Sequence, residues 1–291
     1  MSTNGLVVVD KEAGWTSHDV VARCRNIFGQ KRVGHAGTLD PDATGVLLVG
    51  LGRATRLLRY LTALPKTYVT DIVLGVATST LDASGEVVAT YDMAGVSPDD
   101  VQRAAAGLTG EIEQVPPMVS AVKVGGRRLH ELARQGIEVE RPPRAVQVYR
   151  FDTEPDPERA GVYRATVECS SGTYIRVLAQ DLGVALGGGA HVANLRRTHI
   201  GSFGGPEMRP LDRIDEAAVL TPAQAMRDLE PVTVGPEVAA SIRTGLPLDR
   251  VPLGASGEGP WAMLDEEGAL LAVYEGTGTD RIRPAVVVAG D

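Results

Sequence analysis

The stretch HAGTLDPDATG, residues 35–45, runs directly into the apolar segment VLLVG, residues 46–50. Pro41 disfavours the α region for the residue before it, so Asp40 is expected in an extended conformation. Glycines at both ends of the loop permit tight turns. The uninterrupted apolar run that follows is typical of a strand buried on both faces. The sequence therefore predicts that Asp40 lies on a stiff loop at the mouth of a central strand.

Helices are predicted on both sides of this loop. Before the loop, a capping box begins at Thr16, and the apolar residues that follow it recur on one helical face. After the loop, Arg53, Arg56 and Arg59 recur at three-residue spacing beside several leucines. This pattern predicts a helix around 53–63 that has one packed face and one row of guanidinium groups.

The net charge of −8 is unevenly distributed along the chain. Residues 207–291 carry 15 acidic and 7 basic side chains, whereas residues 1–206 carry 22 of each. Within the neutral part, residues 23–67 have a net charge of +6 and residues 123–150 a net charge of +4. Solvated helix faces would explain these two basic islands, and so would binding of RNA phosphates.

The order of the predicted elements indicates the fold class. Strands and helices do not alternate strictly in the first part of the chain, which favours an α+β fold with a mixed sheet over a doubly wound parallel one. One of the helices begins at Ser97, which is followed by proline at the first turn. The composition shifts near residue 222, after which short strands alternate with Gly-rich and acidic turns. We therefore expect a small β domain over 222–291.

Several functional classes are disfavoured by the sequence. No apolar run approaches 18 residues and the N-terminus lacks signal-peptide features, so a cytoplasmic protein that does not cross a membrane is expected. Cys24 and Cys169 form no C-x-x-C pair and are expected to be buried, inert thiols. No metal site is expected, because the histidines lack ligand spacing and Asp40-x-Asp42 has no further carboxylates nearby. Gly50 and Gly52 follow the apolar strand as in a dinucleotide-binding fold, but Thr55 stands where that motif has its third glycine. A dinucleotide site is therefore disfavoured.

These exclusions leave a carboxylate on a stiff loop within a basic island. An aspartate before proline is most often a turn former, so the surroundings of Asp40 must decide its role. Arg176, one turn into the helix predicted after SSGTY, would lower the pKa of Asp40 and keep it ionised. Tyr68 and Tyr174 are able to stack on a nucleobase. His35 is a candidate site residue because it lies close to Asp40 in the sequence.

Six sequence blocks, taken together, resemble the TruB family of tRNA pseudouridine synthases. They are K-x-x-G-x-T-S (11–17), GHAGTLDPDATGVLLVGLGRATR (34–56), K-T-Y (66–68), PPMVSAVKVGGRRLHELAR (116–134), SSGTYIRVLAQDLG (170–183) and NLRRTHIG (194–201). The blocks occur in the order that the family has, and the HAGTLDP block is highly specific. The family's catalytic aspartate sits in that block, where it corresponds to Asp40.

The resemblance implies isomerisation of the T-loop uridine at position 55 of tRNA to pseudouridine, without cofactor or metal. It implies that Asp40 is catalytic, that Arg176 pairs with it and that Tyr68 stacks on the uracil. The resemblance leaves three roles open for Asp40: attack on the ribose carbon, attack on the pyrimidine ring, and proton abstraction. His35 would fill the space left by the flipped nucleotides, and Tyr174 and Leu195 would line the pocket. The further substrate-binding residues expected are Lys66, Arg53, Arg56, Lys123, Arg127 and Arg128.

The resemblance also implies the domain organisation and the partners. A pseudouridine-synthase domain with a mixed, mostly antiparallel sheet is expected over 1–221, with a thumb-like RNA-binding loop at 116–145 and a C-terminal PUA-like domain over 222–291. The expected partner is the T-arm of tRNA, bound by a monomer without an obligate protein partner. Two features depart from the family: His130 stands where tyrosine is common, and the C-terminal segment is acidic. Contact of that segment with RNA is therefore expected to be limited to Arg281 and Arg283.

Two other functions compete with this interpretation. A guide-RNA-dependent synthase would share the motifs but is expected to carry terminal extensions, whereas here the first motif begins at Lys11. An RNA-binding chaperone would bind tRNA without turnover. Such a protein would need none of Asp40, Tyr68 and Arg176, so their presence argues against this function. Folding of tRNA and its modification are compatible activities of one protein.

Overall fold

The computed structural model describes residues 2–118, 123–124, 127–128, 135, 137 and 139–288, with only the backbone for 123–124 and 127–128. The chain divides into two compact units. The first unit comprises Met1–Pro41, Gly45–Ala63 and Gly201–Asp291, and the second comprises Asp42–Thr44 and Leu64–Ile200. Strands and helices are mixed in both, which confirms the predicted α+β class. The predicted boundary at residues 221 and 222 stays a prediction.

The described residues form short strands and short helices. In chain order the strands are β1 Gly5–Lys11, β2 Val33–Ala36, β3 Thr44–Leu51, β4 Lys66–Leu74, β5 Val76–Thr78, β6 Val87–Thr90, β7 Gly110–Gln114, β8 Lys123–Val124, β9 Arg127–Arg128, β10 Arg144–Pro155, β11 Val162–Cys169, β12 Ala190–Ile200, β13 Phe203–Gly204, β14 Arg209–Pro210, β15 Glu230–Thr233, β16 Leu248–Asp249, β17 Trp261–Leu264, β18 Leu270–Gly276 and β19 Arg281–Val287. The α-helices are α1 Ser17–Ile27, α2 Leu58–Ala63, α3 Pro98–Gly107, α4 Ile175–Ala185, α5 Pro222–Ala225 and α6 Pro236–Arg243.

In the first unit, β3 lies between β1 and β2 and is antiparallel to both. β1 also pairs in parallel with β14, so this sheet is mixed. The side chains of β3 from Val46 to Val49 are 0 % exposed, which confirms the predicted central strand. Helix α1 packs Val20 and Cys24 into the same core. The capping box that begins at Thr16 is present at its N-terminus, as predicted.

A second sheet of the first unit is built from the C-terminal part of the chain. Its strand order is β15-β17-β18-β19-β16, with β15 parallel to β17 and the remaining pairs antiparallel. Trp261 and Tyr274 lie in its core and are 1 % and 0 % exposed. These strands confirm the predicted small β-rich region.

The sheet of the second unit has the strand order β12-β4-β11-β10-β7 and is antiparallel throughout. Helix α3 packs on β10 and helix α4 on β12. Ser97 caps α3 and Pro98 occupies its first turn, as the sequence indicated. Strands β8 and β9 pair antiparallel, but the predicted thumb-like loop, including His130, lies largely outside the described residues.

The helix predicted around 53–63 differs from the expectation in its first half. Gly52–Leu57 forms a 3-10 helix, and the α-helix begins only at Leu58. Gly52 has a φ of +57°, and a Cβ atom there would lie 2.3 Å from Oδ1 of Asn4. The Thr55 hydroxyl donates to the Gly52 carbonyl at 2.8 Å. The left-handed residue and this local hydrogen bond favour the tighter turn.

Candidate active site

The loop that carries Asp40 is anchored through the residues next to it. Lys11 is 1 % exposed, and its Nζ donates to the Pro41 carbonyl at 2.8 Å as well as to the carbonyls of Glu12 and Trp15. On the other side, the backbone N–H of Leu39 donates to the Ser17 hydroxyl at 3.0 Å. The K-x-x-G-x-T-S block therefore fixes the backbone on both sides of a half-buried Asp40.

Two glycines of this loop adopt the backbone conformation that the sequence predicted. Gly37 has a φ of +76° and Gly45 a φ of +101°, values that favour glycine over other residues. Together with Pro41, they confine the loop between β2 and β3. The loop lies directly before the buried strand β3, as predicted, while its stiffness stays a prediction.

His35 lies on β2, half-buried, and its ring contacts that of His18 on α1. The ring centroids are 5.4 Å apart and the planes meet at 81°, an edge-to-face arrangement. This contact orients the imidazole of His35 from the helix side. The proposed role of His35 toward RNA stays a prediction.

Tyr68 is on β4 in the second unit and is 8 % exposed. Arg197 of β12 stands directly opposite Tyr68, and its guanidinium carbon is 6.0 Å from the centroid of the phenol ring. This distance lies at the outer limit of a cation–π interaction. Arg197 is itself only 1 % exposed, so a buried positive charge accompanies the tyrosine expected to meet the uracil.

Lys66 begins the same strand and is buried more deeply than a phosphate-binding lysine would be expected to be. It is 5 % exposed, and its Nζ donates to the Leu64 carbonyl at 2.5 Å. Burial first, and then the positive charge of Arg197, lowers the pKa of Lys66 to about 8. Contact of Lys66 with RNA stays a prediction, and one contact that the structure shows is with the Leu64 backbone carbonyl.

Arg176 lies in the first turn of α4 and is 4 % exposed. Its Nη1 donates to the Thr80 carbonyl at 2.9 Å and lies 3.4 Å from Oδ2 of Asp82. Asp82 is a partner that the sequence analysis missed. Asp40 belongs to the first unit and Arg176 to the second, and their expected pairing stays a prediction.

The loop that holds Asp82 connects β5 and β6 and is fixed by that carboxylate. Asp82 Oδ1 accepts hydrogen bonds from the Thr80 hydroxyl and from both the backbone N–H and the hydroxyl of Ser84. Leu81 has a φ of +64°, which is strained for a branched side chain. The signal that could have found this loop is a Ser/Thr-rich run with an aspartate at its centre and a glycine after it, as in an Asx turn.

Tyr174 and Leu195 lie at two other irregular points of the second unit. Tyr174 precedes α4, and Gln114 binds its backbone reciprocally, with the Tyr174 N–H donating to Gln114 Oε1 at 2.9 Å. Leu195 is half-buried in β12, where the register shifts between Ala193 and Arg196. Both residues are accessible enough to contact a ligand.

The arginine row after β3 contacts the C-terminal sheet of its own unit. Arg56 Nη1 donates to the Val287 carbonyl at 3.0 Å, and Arg59 forms an ion pair with Glu275. Arg53 uses its backbone N–H to bind Asn4. Phosphate binding by Arg53 and Arg56 stays a prediction, and the side chains of the other predicted contacts, Lys123, Arg127 and Arg128, lie outside the described residues.

Other predicted features concern thiols, metals and membranes. Cys24 and Cys169 are buried, as predicted. Burial raises the pKa of both thiols to about 11, which disfavours the reactive thiolate at neutral pH. Within the described ranges, no cluster of three or more His, Cys, Asp or Glu side chains could hold a metal ion. None of the helices in that part of the chain is both long and apolar enough to traverse a bilayer.

Comparisons with known proteins define the class to which this fold and these residues belong. The model of the TruB family pseudouridylate synthase N-terminal domain matches residues 25–175, and that of the tRNA pseudouridylate synthase B C-terminal domain matches residues 176–235. The chain belongs to the TruB family of pseudouridine synthases.

Relatives named tRNA pseudouridine synthase B match over nearly the whole length. The protein from Arthrobacter sp. (strain FB24) is 45 % identical, covering 98 % of this chain and 97 % of its own. That from Mycobacterium sp. (strain KMS) is 47 % identical, covering 98 % and 96 %. Among solved structures, a chain of a Cbf5–Nop10–Gar1 complex is 27 % identical with a TM-score of 0.74, covering 99 % of this chain and 84 % of that one. The likeness extends the family assignment to the fold.

Proposed function

We propose that this pseudouridine synthase acts on tRNA and converts the T-loop uridine at position 55 to pseudouridine, with Asp40 as the catalytic carboxylate. The observation that carries the proposal is the anchoring of the HAGTLDP loop: Lys11 and Ser17 bind the backbone on both sides of Asp40. Anchoring of this kind holds a catalytic group in one geometry before substrate binds. The relatives named tRNA pseudouridine synthase B, at 44–47 % identity over most of the chain, support the tRNA substrate.

The reaction is an isomerisation in which atoms and electrons balance within the nucleotide. The bond between uracil N1 and the ribose C1′ breaks, the base rotates in place, and C5 bonds to C1′. The proton on C5 leaves and N1 gains one, so no oxidant or reductant is required. An anionic group beside the sugar or the ring assists these steps, and Asp40 supplies it.

The other residues assigned to the uridine pocket would prepare it for an everted base. Eversion costs a few kcal/mol, which contacts with the protein must offset. Stacking on Tyr68 contributes about 1–3 kcal/mol by analogy with other base–aromatic contacts. Arg176 keeps Asp40 ionised, Tyr174 and Leu195 exclude water from the detached base, and His35 occupies the space that the everted nucleotides leave.

The rest of the chain would hold the T-arm. The basic islands at 23–67 and 123–150 bind phosphates, and the acidic C-terminal, PUA-like region touches RNA only through Arg281 and Arg283. The protein acts as a cytoplasmic monomer without a guide RNA. The higher identity to tRNA pseudouridine synthase B than to the chain of the Cbf5–Nop10–Gar1 complex, 45 % against 27 %, favours this over the guide-RNA-dependent type.

The function is tested with purified protein and an unmodified tRNA transcript. Pseudouridine is mapped by carbodiimide labelling and primer extension, and a second transcript with cytidine at position 55 serves as the matched control. We expect one new stop, one nucleotide 3′ of position 55, in the first transcript alone. Modification at another position, or of a transcript only when a guide RNA is added, would contradict the proposal. Binding of tRNA without modification would favour the chaperone function.

A further inference from the structure

Strand β12 contains two register shifts, one on each side of the residue that faces Tyr68. Opposite β4, Ala193 pairs with Asp71, but Arg196 is the next residue paired, with Val69. One extra residue is therefore inserted in β12 at this point, as in a β-bulge. A second extra residue follows Arg197, because His199 pairs with Thr67.

The first bulge decides which of two consecutive arginines stands against Tyr68. Side chains alternate between the faces of a strand, so one extra residue moves every later side chain to the other face. In regular register from Ala193, Arg196 would oppose Tyr68. With the bulge, Arg197 takes that place and is 1 % exposed, whereas Arg196 is half-buried.

A cluster of polar side chains holds this bulge. Asn194 has a φ of +54°, and its Nδ2 donates to Asp71 Oδ2 at 2.9 Å. The Thr70 hydroxyl donates to the Ala193 carbonyl at 2.8 Å. Asp71 is 7 % exposed, and the same oxygen accepts from Arg159 Nη2 at 2.9 Å. The carboxylate thus ties the bulge to the turn between β10 and β11.

Asp71 is directed away from the pocket that Tyr68 would form. The two residues are three positions apart on β4 and therefore lie on opposite faces of the sheet. Arg159 belongs to the turn after β10 and also binds Asp156, at 3.0 Å from its Nε. Any effect of this cluster on the reaction must pass through the backbone of β12.

We infer that Asp71, Asn194 and Arg159 are positioning residues for the reaction: they fix the bulge that places Leu195 at the pocket and Arg197 against Tyr68. The inference rests on the proposed function, which assigns Tyr68 and Leu195 to the uridine pocket. Asparagine suits the bulge because it tolerates the left-handed conformation and its amide reaches the carboxylate.

The test compares substitutions at position 194 in the full-length protein. Asn194→Ala removes the amide and disfavours positive φ, and we expect the single-turnover rate of pseudouridine formation to fall about tenfold. Asn194→Gly keeps the positive φ without the amide and should recover part of the rate. Asn194→Asp places a second carboxylate against that of Asp71 and should be as slow as Asn194→Ala. The double variant Asp71→Asn with Asn194→Asp restores an amide–carboxylate pair and should recover activity.

Affinity for tRNA and the melting temperature separate positioning from loss of fold. Both should stay close to wild type in Asn194→Ala, with Kd changed by less than about twofold. Arg103→Ala, which removes an exposed ion pair with Asp100 on α3, is the matched control and should leave rate, Kd and melting temperature unchanged. Rates of Asn194→Ala and Asn194→Asp within about twofold of wild type would overturn the inference.

Register is read directly by cross-strand nuclear Overhauser contacts, which do not depend on activity. Wild type should show contacts between the backbones of Tyr68 and Arg197, and these should weaken or move to Arg196 in Asn194→Ala. Contacts that are unchanged in a slow variant, or lost in a fast one, would overturn the inference. Should wild type leave the transcript unmodified, the proposed function would fail, and these contacts would still decide whether the cluster sets the register.

Discussion

Two loops of this protein each contain an aspartate, and the contacts seen around them differ. In the loop between β2 and β3, Lys11 and Ser17 bind the backbone of Pro41 and Leu39, so the anchors go to the residues around Asp40. In the loop between β5 and β6, the carboxylate of Asp82 is itself the anchor. The comparison indicates that the backbone around Asp40 is held by residues from outside its loop, whereas the Asp82 carboxylate binds residues within its own loop.

The largest effect on stability is expected where the second loop meets α4. Arg176→Ala removes a buried guanidinium from Asp82 and from the Thr80 carbonyl. Breaking a buried charged pair costs about 3–5 kcal/mol, so the free energy of unfolding should fall by an amount of that order, and turnover should be lost. Chemical denaturation measures the free energy of unfolding, and single-turnover kinetics measure the loss of turnover. A variant with wild-type stability would remove Arg176 from the anchoring of this loop.

The first loop is tested by removing its buried lysine. Lys11→Met keeps the apolar stem but removes the ammonium donor from three carbonyls, of which that of Pro41 still accepts from the Gly14 N–H. We expect a loss of about 2–3 kcal/mol, since each hydrogen bond to a charged group contributes about 1.5–3 kcal/mol and relief of lysine burial offsets part of it. The rate should fall while the Kd for tRNA stays constant. An unchanged rate would show that the Lys11 ammonium does not position Asp40.

Asp82→Asn separates charge from shape in the second loop. The amide oxygen still accepts from Thr80 and Ser84, but the attraction to Arg176 at 3.4 Å is lost. A loss of about 1–2 kcal/mol is expected, smaller than for Arg176→Ala because the Thr80 carbonyl still binds the guanidinium. Thermal unfolding of both variants gives the order. A larger loss for Asp82→Asn than for Arg176→Ala would contradict this order and show that the negative charge of Asp82 matters more to the loop than the Arg176 guanidinium.

The smallest expected effect is a pH dependence from Lys66, whose pKa is lowered to about 8 from its ordinary value of 10.5. Between these pH values the unfolded chain binds the proton and the folded chain does not. Stability of wild type relative to Lys66→Met should therefore rise by about 1 kcal/mol per pH unit from pH 8 to pH 10. Urea unfolding of wild type and Lys66→Met at several pH values measures this difference in stability. A difference that falls or stays flat with pH would show that Lys66 keeps its proton in the fold.

Local signals in the sequence predicted the local structure well. The caps at Thr16 and Ser97 and the buried strand β3 depend on residues close in sequence, and they are present. The left-handed glycines around Asp40 follow from the same reasoning. The position of the candidate-site loop and its left-handed glycines could therefore be predicted from the amino-acid sequence alone.

Features that depend on distant residues were not predictable in this way. Arg59 contacts Glu275, and Arg176 contacts Asp82, in each case across a long sequence separation. The bulge at Asn194 has no local signal beyond a residue that tolerates positive φ, because register is set by the neighbouring strand. The arginine row was predicted to lie opposite the packed face of its helix, and contacts with the C-terminal sheet occupy part of it.

The central claim is that Asp40 performs the chemistry while its neighbours hold the loop. The most direct test is the single-turnover rate of Asp40→Asn on an unmodified tRNA transcript, with Asp42→Asn, an exposed aspartate of the same loop, as the matched control. The account predicts that Asp40→Asn binds tRNA normally and slows pseudouridine formation by about a thousandfold or more, while Asp42→Asn stays near wild type. A rate for Asp40→Asn within about tenfold of wild type would contradict it.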